Sequence, residues 1–97
     1  MNELKKINNF SNKINAEFFI VVLPYEFQTR ECLPKDLIPQ KKMVKIFSDL
    51  KIKYIDLTNA FCELQKPSDY FLKFDPMHLS SKGHKLVYNL IQDEINF

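Results

Sequence analysis

The run "EFFIVVLP", Glu17 to Pro24, constrains the fold more than any other stretch of the chain. It is aromatic and β-branched, apolar on both faces of an extended backbone, and it stops at a proline. Such a run suits a strand covered by helices on each side rather than one that faces water. A second strand signal, "IKYIDLTNAF", predicts a strand over 52–57 leading into a short helix over 58–65. Elsewhere the period becomes helical. Leu4, Ile7, Phe10 and Ile14 recur three or four residues apart among Lys and Asn and predict an amphipathic first helix. Met43, Ile46, Phe47 and Leu50 make one face of another, with Pro39 where a helix start tolerates it. Leu86, Val87, Leu90, Ile91 and Ile95 form the stripe of a closing helix, with Ser80 or Ser81 as its N-cap. "YEFQTRECLPKDLIP" has no consistent period and reads as a long surface loop with room for a short helical turn, while "DYFLKF" reads as a brief extended piece after a break at Pro67–Asp69.

Helix, strand, helix, strand, short helix, helix is the order of an α/β fold, a parallel sheet flanked by helices. At 97 residues the chain is one domain or part of one. Two strands are few for such a sheet, and a strand apolar on both sides with a single neighbour leaves backbone groups unpaired on its free edge. The expectation is self-association through an exposed sheet edge, or a place as the last portion of a longer fold.

Fourteen basic against twelve acidic residues, with no Lys/Arg block, argue against a nucleic-acid partner. No run reaches membrane-spanning length and no export signal is visible, so as written the chain is expected in the cytoplasm, the alternative being an upstream portion that carries an export signal. Cys32 and Cys62 show no CxxC pattern, which disfavours a zinc knuckle or a redox motif. They read as two buried or half-buried thiols, with a disulfide as the alternative. No metal or cofactor is expected.

The chemistry is sought in "FDPMHLSSKGHKLVYNLI", Phe74 to Ile91. In open parallel α/β sheets, sites collect at the carboxyl ends of the strands. The loop after "FFIVVL" and the turn holding Asp75 and His78 both fall at that end. Pro76 biases Asp75 toward an extended conformation and stiffens the turn. An aspartate three residues before a histidine can accept a hydrogen bond from one imidazole nitrogen, choosing the tautomer and stabilising the imidazolium. The other nitrogen is then free to take a proton. Ser80 and Ser81 are better explained as caps than as nucleophiles, and His84 as a solvated residue. Tyr25, Glu26 and Arg30 either line a cleft or anchor the turn; the sequence does not choose. Phe61, Tyr70, Phe71 and Phe74 read as core and loop packing rather than an acyl pocket.

The block "DPMHLSSKGHKLVYNLI" resembles the C-terminal block of the SGNH, or GDSL, hydrolases, in which Asp-x-x-His precedes a final helix. "FFIVVLPYEFQTR" is similar to that family's penultimate strand and following loop, and "IKYIDLTNAF" to the strand and short helix before the last block. The resemblance implies a partial flavodoxin-like three-layer sandwich, the C-terminal half of the fold, with residues 1–97 as a single incomplete domain. It implies Asp75 as the triad aspartate, His78 as the general base, Ser80 as the cap, and Gly83, the only glycine, as the glycine of the helix's first turn. The implied activity is hydrolysis of ester bonds or acetyl groups on lipids, carbohydrates or small molecules. The family's Gly-Asp-Ser nucleophile motif has no match here, nor do the blocks carrying its oxyanion-hole Gly and Asn. The chain is therefore expected to be inactive alone. The alternative is a non-catalytic α/β interaction module or a degenerate gene fragment.

Overall fold

A computed structural model describes residues 2–95, the side chain of Pro76 excepted, so that ring's expected stiffening of the turn lies outside the described atoms. The two strand signals pair as expected: β1 (Phe19–Val22) runs parallel to β2 (Lys53–Asp56), with Phe19 opposite Lys53 and Val22 opposite Asp56. Alternation along β1 sends its side chains to two separate clusters. Ile20 and Val22, with Phe18 and Ile52, meet Leu4 of α1 (Asn2–Lys13) and Met43, Val44, Phe47 and Leu50 of the α2 region (Ile38–Asp49). Val21 and Leu23, with Ile55 and Leu57, meet Phe61 of α3 (Thr58–Cys62) and Leu86, Val87, Leu90 and Ile91 of α4 (Ser81–Ile95). The fold is mixed α/β around a small parallel sheet of two strands. No helix among the described residues is long and apolar enough to cross a membrane.

Local chemistry sets the helix ends. After α1, Asn15 takes a left-handed φ of 58° and the Ala16 N–H donates back to the Ser11 carbonyl at 2.8 Å. After α2, Lys51 takes a φ of 57° and the Ile52 N–H returns to the Phe47 carbonyl at 2.9 Å. Both are left-handed stops that satisfy carbonyls the helix leaves open. At the start of α2, Pro39 occupies the first turn, where its missing N–H costs nothing.

Several expectations need correction. Asp75 and His78 do not sit on a turn. They lie on a strand, β4 (Asp75–Leu79), which pairs antiparallel with β3 (Phe71–Leu72) across a tight loop of Lys73 and Phe74. The segment over 25–39 does hold short helical turns, the 3-10 turns Glu26–Thr29 and Pro34–Leu37, but it is not wholly a surface loop, since Gln28 and Thr29 are buried. Cys32 and Cys62 are not thiols; they form a disulfide with Cα atoms 6.0 Å apart, which ties this segment to the end of α3. The short helix stops at Cys62, not Gln65, with Glu63 as its C-cap. α1 is amphipathic as expected, yet Ile7, Phe10 and Ile14 are 47%, 62% and 56% exposed.

β1 has no strand partner on its second edge among the described residues. Its character differs from that of β2. β1 buries or half-buries every side chain, whereas β2 exposes Lys53, Tyr54 and Asp56, the pattern of a sheet edge. β1 is built like an internal strand.

Candidate functional site

The β3/β4 hairpin stands at the carboxyl end of β1, because β4 lies alongside Glu26–Thr29, the turn by which the chain leaves that strand. Two anchors hold it there. Phe71 is buried against Phe61, ring centroids 5.7 Å apart, and Phe61 is fully buried. Beyond β4, the Ser80 N–H donates to the Tyr70 carbonyl at 3.0 Å and continues the pairing.

Ser80 then serves the helix. Its Oγ accepts from the Gly83 N–H at 3.2 Å and donates to the Asp69 carbonyl at 2.8 Å, while its carbonyl accepts from the His84 N–H at 2.9 Å. This is an N-cap whose hydroxyl is committed on both sides. Gly83 lets the first turn of α4 press against the 3-10 turn Pro67–Tyr70: a Cβ built there would overlap the Tyr70 carbonyl oxygen and come within 3.1 Å of the Leu79 Cβ.

On this frame the two sequence-chosen residues meet. The Nδ1 of His78 lies 2.8 Å from Oδ2 of Asp75, and the second carboxylate oxygen accepts from the Met77 N–H at 3.3 Å. The carboxylate is thus held by the strand that carries it and in turn orients the ring. With Nδ1 donating to Asp75, the neutral imidazole presents Nε2 as an unprotonated base. The pair is open to water, the His78 side chain 73% and the Asp75 side chain 45% exposed. Solvent screening at such exposure makes the pair a weak contributor to stability. Its value is orientation.

A cleft of about 560 Å³ opens beside the hairpin, lined by Glu26, Arg30, Ser68, Asp69 and the Phe71–Phe74 segment. Phe74, the residue before Asp75, is on its wall, while Asp75 and His78 are not among its lining residues. Glu26 and Arg30 both line the cleft and anchor the turn, since the guanidinium donates to the two carboxylate oxygens at 2.9 and 3.2 Å. Those hydrogen bonds, and then the carboxylate's charge, raise the Arg30 pKa above its ordinary value. Tyr25 faces a different cavity, of about 490 Å³, with Phe27, Gln28, Pro39 and Met43.

Of the four aromatics expected to pack, Phe61 and Phe71 are buried and Tyr70 is half-buried, but Phe74 is 94% exposed. It also takes a left-handed φ of 68°, which a bulky side chain resists. His84 is exposed on the first turn of α4. Among the described residues no three His, Cys, Asp or Glu side chains gather as a metal site.

One feature of the site end escaped the sequence reading. Gln28 and Gln40, both buried, exchange hydrogen bonds amide to amide at 2.9 and 2.8 Å. Gln28 also accepts from the Tyr25 N–H and donates to the Asp36 carbonyl, and Gln40 donates to the Leu23 carbonyl at 3.3 Å. This closed pair fastens the segment after β1 to α2. The signal was present in the spacing, because Gln40 falls on the same helical stripe as Met43, Phe47 and Leu50.

Comparison of the chain with protein-family models, with curated proteins and with solved structures found no match.

Proposed function

We propose that the chain is the C-terminal portion of an SGNH-type ester hydrolase, carrying Asp75 and His78 of a Ser-His-Asp triad whose serine and oxyanion donors come from a polypeptide segment outside these 97 residues. The observation that carries this reading is the 2.8 Å contact between Nδ1 of His78 and Oδ2 of Asp75, which leaves Nε2 open to solvent. Three further features support it: the Ser80 cap, the close approach that Gly83 permits, and the hairpin's position at the carboxyl end of β1. The sheet supports it too, with α1 and α2 reaching the cluster on one face and α4 the cluster on the other. That distribution fits the last part of a flavodoxin-like three-layer sandwich.

In this reading Nε2 of His78 removes the hydroxyl proton of the incoming serine as its oxygen bonds to the ester carbonyl carbon. Asp75 stabilises the imidazolium that results. Collapse of the tetrahedral species breaks the bond to the leaving alcohol, which takes the proton from Nε2. Water, deprotonated by the same nitrogen, then releases the acid and restores the serine. The substrate is an ester or an acetylated small molecule, lipid or carbohydrate. The Cys32–Cys62 bridge supports an oxidising compartment in place of the cytoplasm.

A second reading, a non-catalytic α/β interaction module, is favoured by the exposure of the pair and by its absence from the lining of the neighbouring cleft. Hydrolysis of p-nitrophenyl acetate separates the two. The chain alone is expected to match its His78→Ala variant at background rate. Complemented with a Gly-Asp-Ser-bearing polypeptide, it is expected to turn over ester and to lose about 10³-fold or more in kcat on His78→Ala. A complemented enzyme that keeps its rate in that variant contradicts the assignment.

A further inference from the structure

The apolar stripe of α1 is turned away from the body of the protein. At about 100° per residue, the half-buried positions Leu4, Asn8 and Ser11 share one face, and Ile7, Ile14 and Phe10 lie roughly 60–120° round from it. Only Leu4 reaches the core. Ile7 and Phe10 of α1 and Ile14 of the turn that follows it therefore form a continuous exposed flank, more than scattered surface residues require.

The charges beside that flank say what covers it. Glu3 lies on the flank near the start of α1 and Lys13 beside it at the end, with Lys6 on the Lys13 side. Two copies of α1 packed antiparallel about a two-fold axis between Asn8 and Asn9 put Ile7 against the partner's Phe10, and Glu3 beside the partner's Lys13, twice over. A parallel pairing would set Glu3 against the partner's Glu3, Lys6 against the partner's Lys6 and Lys13 against the partner's Lys13. Like charges so placed repel. The flank is self-complementary in the antiparallel arrangement and self-repelling in the other.

We infer that α1 is the interface of a two-fold homodimer in which Ile7 of each copy packs against the partner's Phe10, Ile14 lies across from the partner's Glu3, and Glu3–Lys13 pairs close both ends. The inference does not rest on the hydrolase reading, and it leaves the free edge of β1 unused. A single helix from each copy buries less than the area of a standard stable interface, so the dimer is weak and concentration-dependent.

Sedimentation velocity over a series from micromolar to sub-millimolar chain tests it. The wild type is expected to pass from monomer to dimer, and Phe10→Glu to raise the dissociation constant about tenfold or more. Lys13→Glu alone weakens the dimer and the double change Glu3→Lys with Lys13→Glu restores it, because the pairs re-form with signs exchanged. All these positions are exposed, so the variants keep their circular dichroism spectrum. A wild type that stays monomeric throughout overturns the inference, as does a dimer indifferent to Phe10→Glu. So does a monomer that cosediments with phosphatidylglycerol vesicles through Phe10, which would make the flank a lipid contact instead.

Discussion

Gly83→Ala is the substitution whose outcome depends most sharply on the packing around the candidate site. In an open helix, alanine in place of glycine stabilises by about 1 kcal/mol. Here the added methyl overlaps the Tyr70 carbonyl oxygen and meets its carbon at 3.0 Å, and these are backbone atoms that cannot rotate aside. Overpacking of this kind costs about 1–3 kcal/mol. Relief by moving α4 outward strains the Ser80 N–H bond to Tyr70, the Ser80 hydroxyl bond to Asp69 and the cap at Gly83. Each contributes about 1 kcal/mol. The propensity gain offsets one of these, leaving a net loss of about 2 kcal/mol. For a chain of this length that lowers Tm by about 8–16 °C. Urea titration followed by circular dichroism at 222 nm measures the stability, and hydrogen exchange at Leu79 and Ser80 reports the hairpin. A variant as stable as the wild type, or about 1 kcal/mol more so, would refute the close approach and with it the account of how α4 is seated.

Two other perturbations probe the frame of the site. Reduction of Cys32–Cys62 with dithiothreitol opens a loop with a sequence separation of 30 residues and is expected to cost about 3–4 kcal/mol by chain entropy, read as a lower urea midpoint; an unchanged midpoint would deny the bridge a structural role. Gln40→Ala strips one half of the buried amide pair and leaves the Gln28 amide and the Leu23 carbonyl short of partners, for a loss of about 1–3 kcal/mol in the same titration. Gln40→Leu restores apolar volume but not the bonds, so it should recover only part of that loss.

Much of the frame was legible because it follows from periodicity. The two strand signals became the parallel pair, Met43, Phe47 and Leu50 of the second helical stripe face the core while Ile46 is 36% exposed, and Ser80 became the cap of α4. The proximity of Asp75 and His78 was legible as well, and the structure brings them together at hydrogen-bond distance. What was not legible depends on contacts distant in sequence. The two-residue β3 falls within the stretch read as a brief extended piece, but β4 was read as a turn because a partner that short carries no period. The disulfide joins positions with no motif between them. The spacing places Gln40 on the buried stripe of α2, but nothing in it announces that its partner is Gln28, twelve residues away in a segment without a period. α1 carries the apolar spacing of a packed helix, yet spacing does not say whether the covering surface belongs to the same chain.

The central claim is that Asp75 fixes His78 as a base with Nε2 unprotonated. Long-range proton–nitrogen NMR correlation of the two histidines above their titration tests it directly. His78 is expected as the Nδ1–H tautomer in the native chain and to lose that tautomer in Asp75→Ala, while His84, which has no such carboxylate among the described residues, supplies the internal reference. A His78 spectrum that matches His84 and does not change in Asp75→Ala would contradict it.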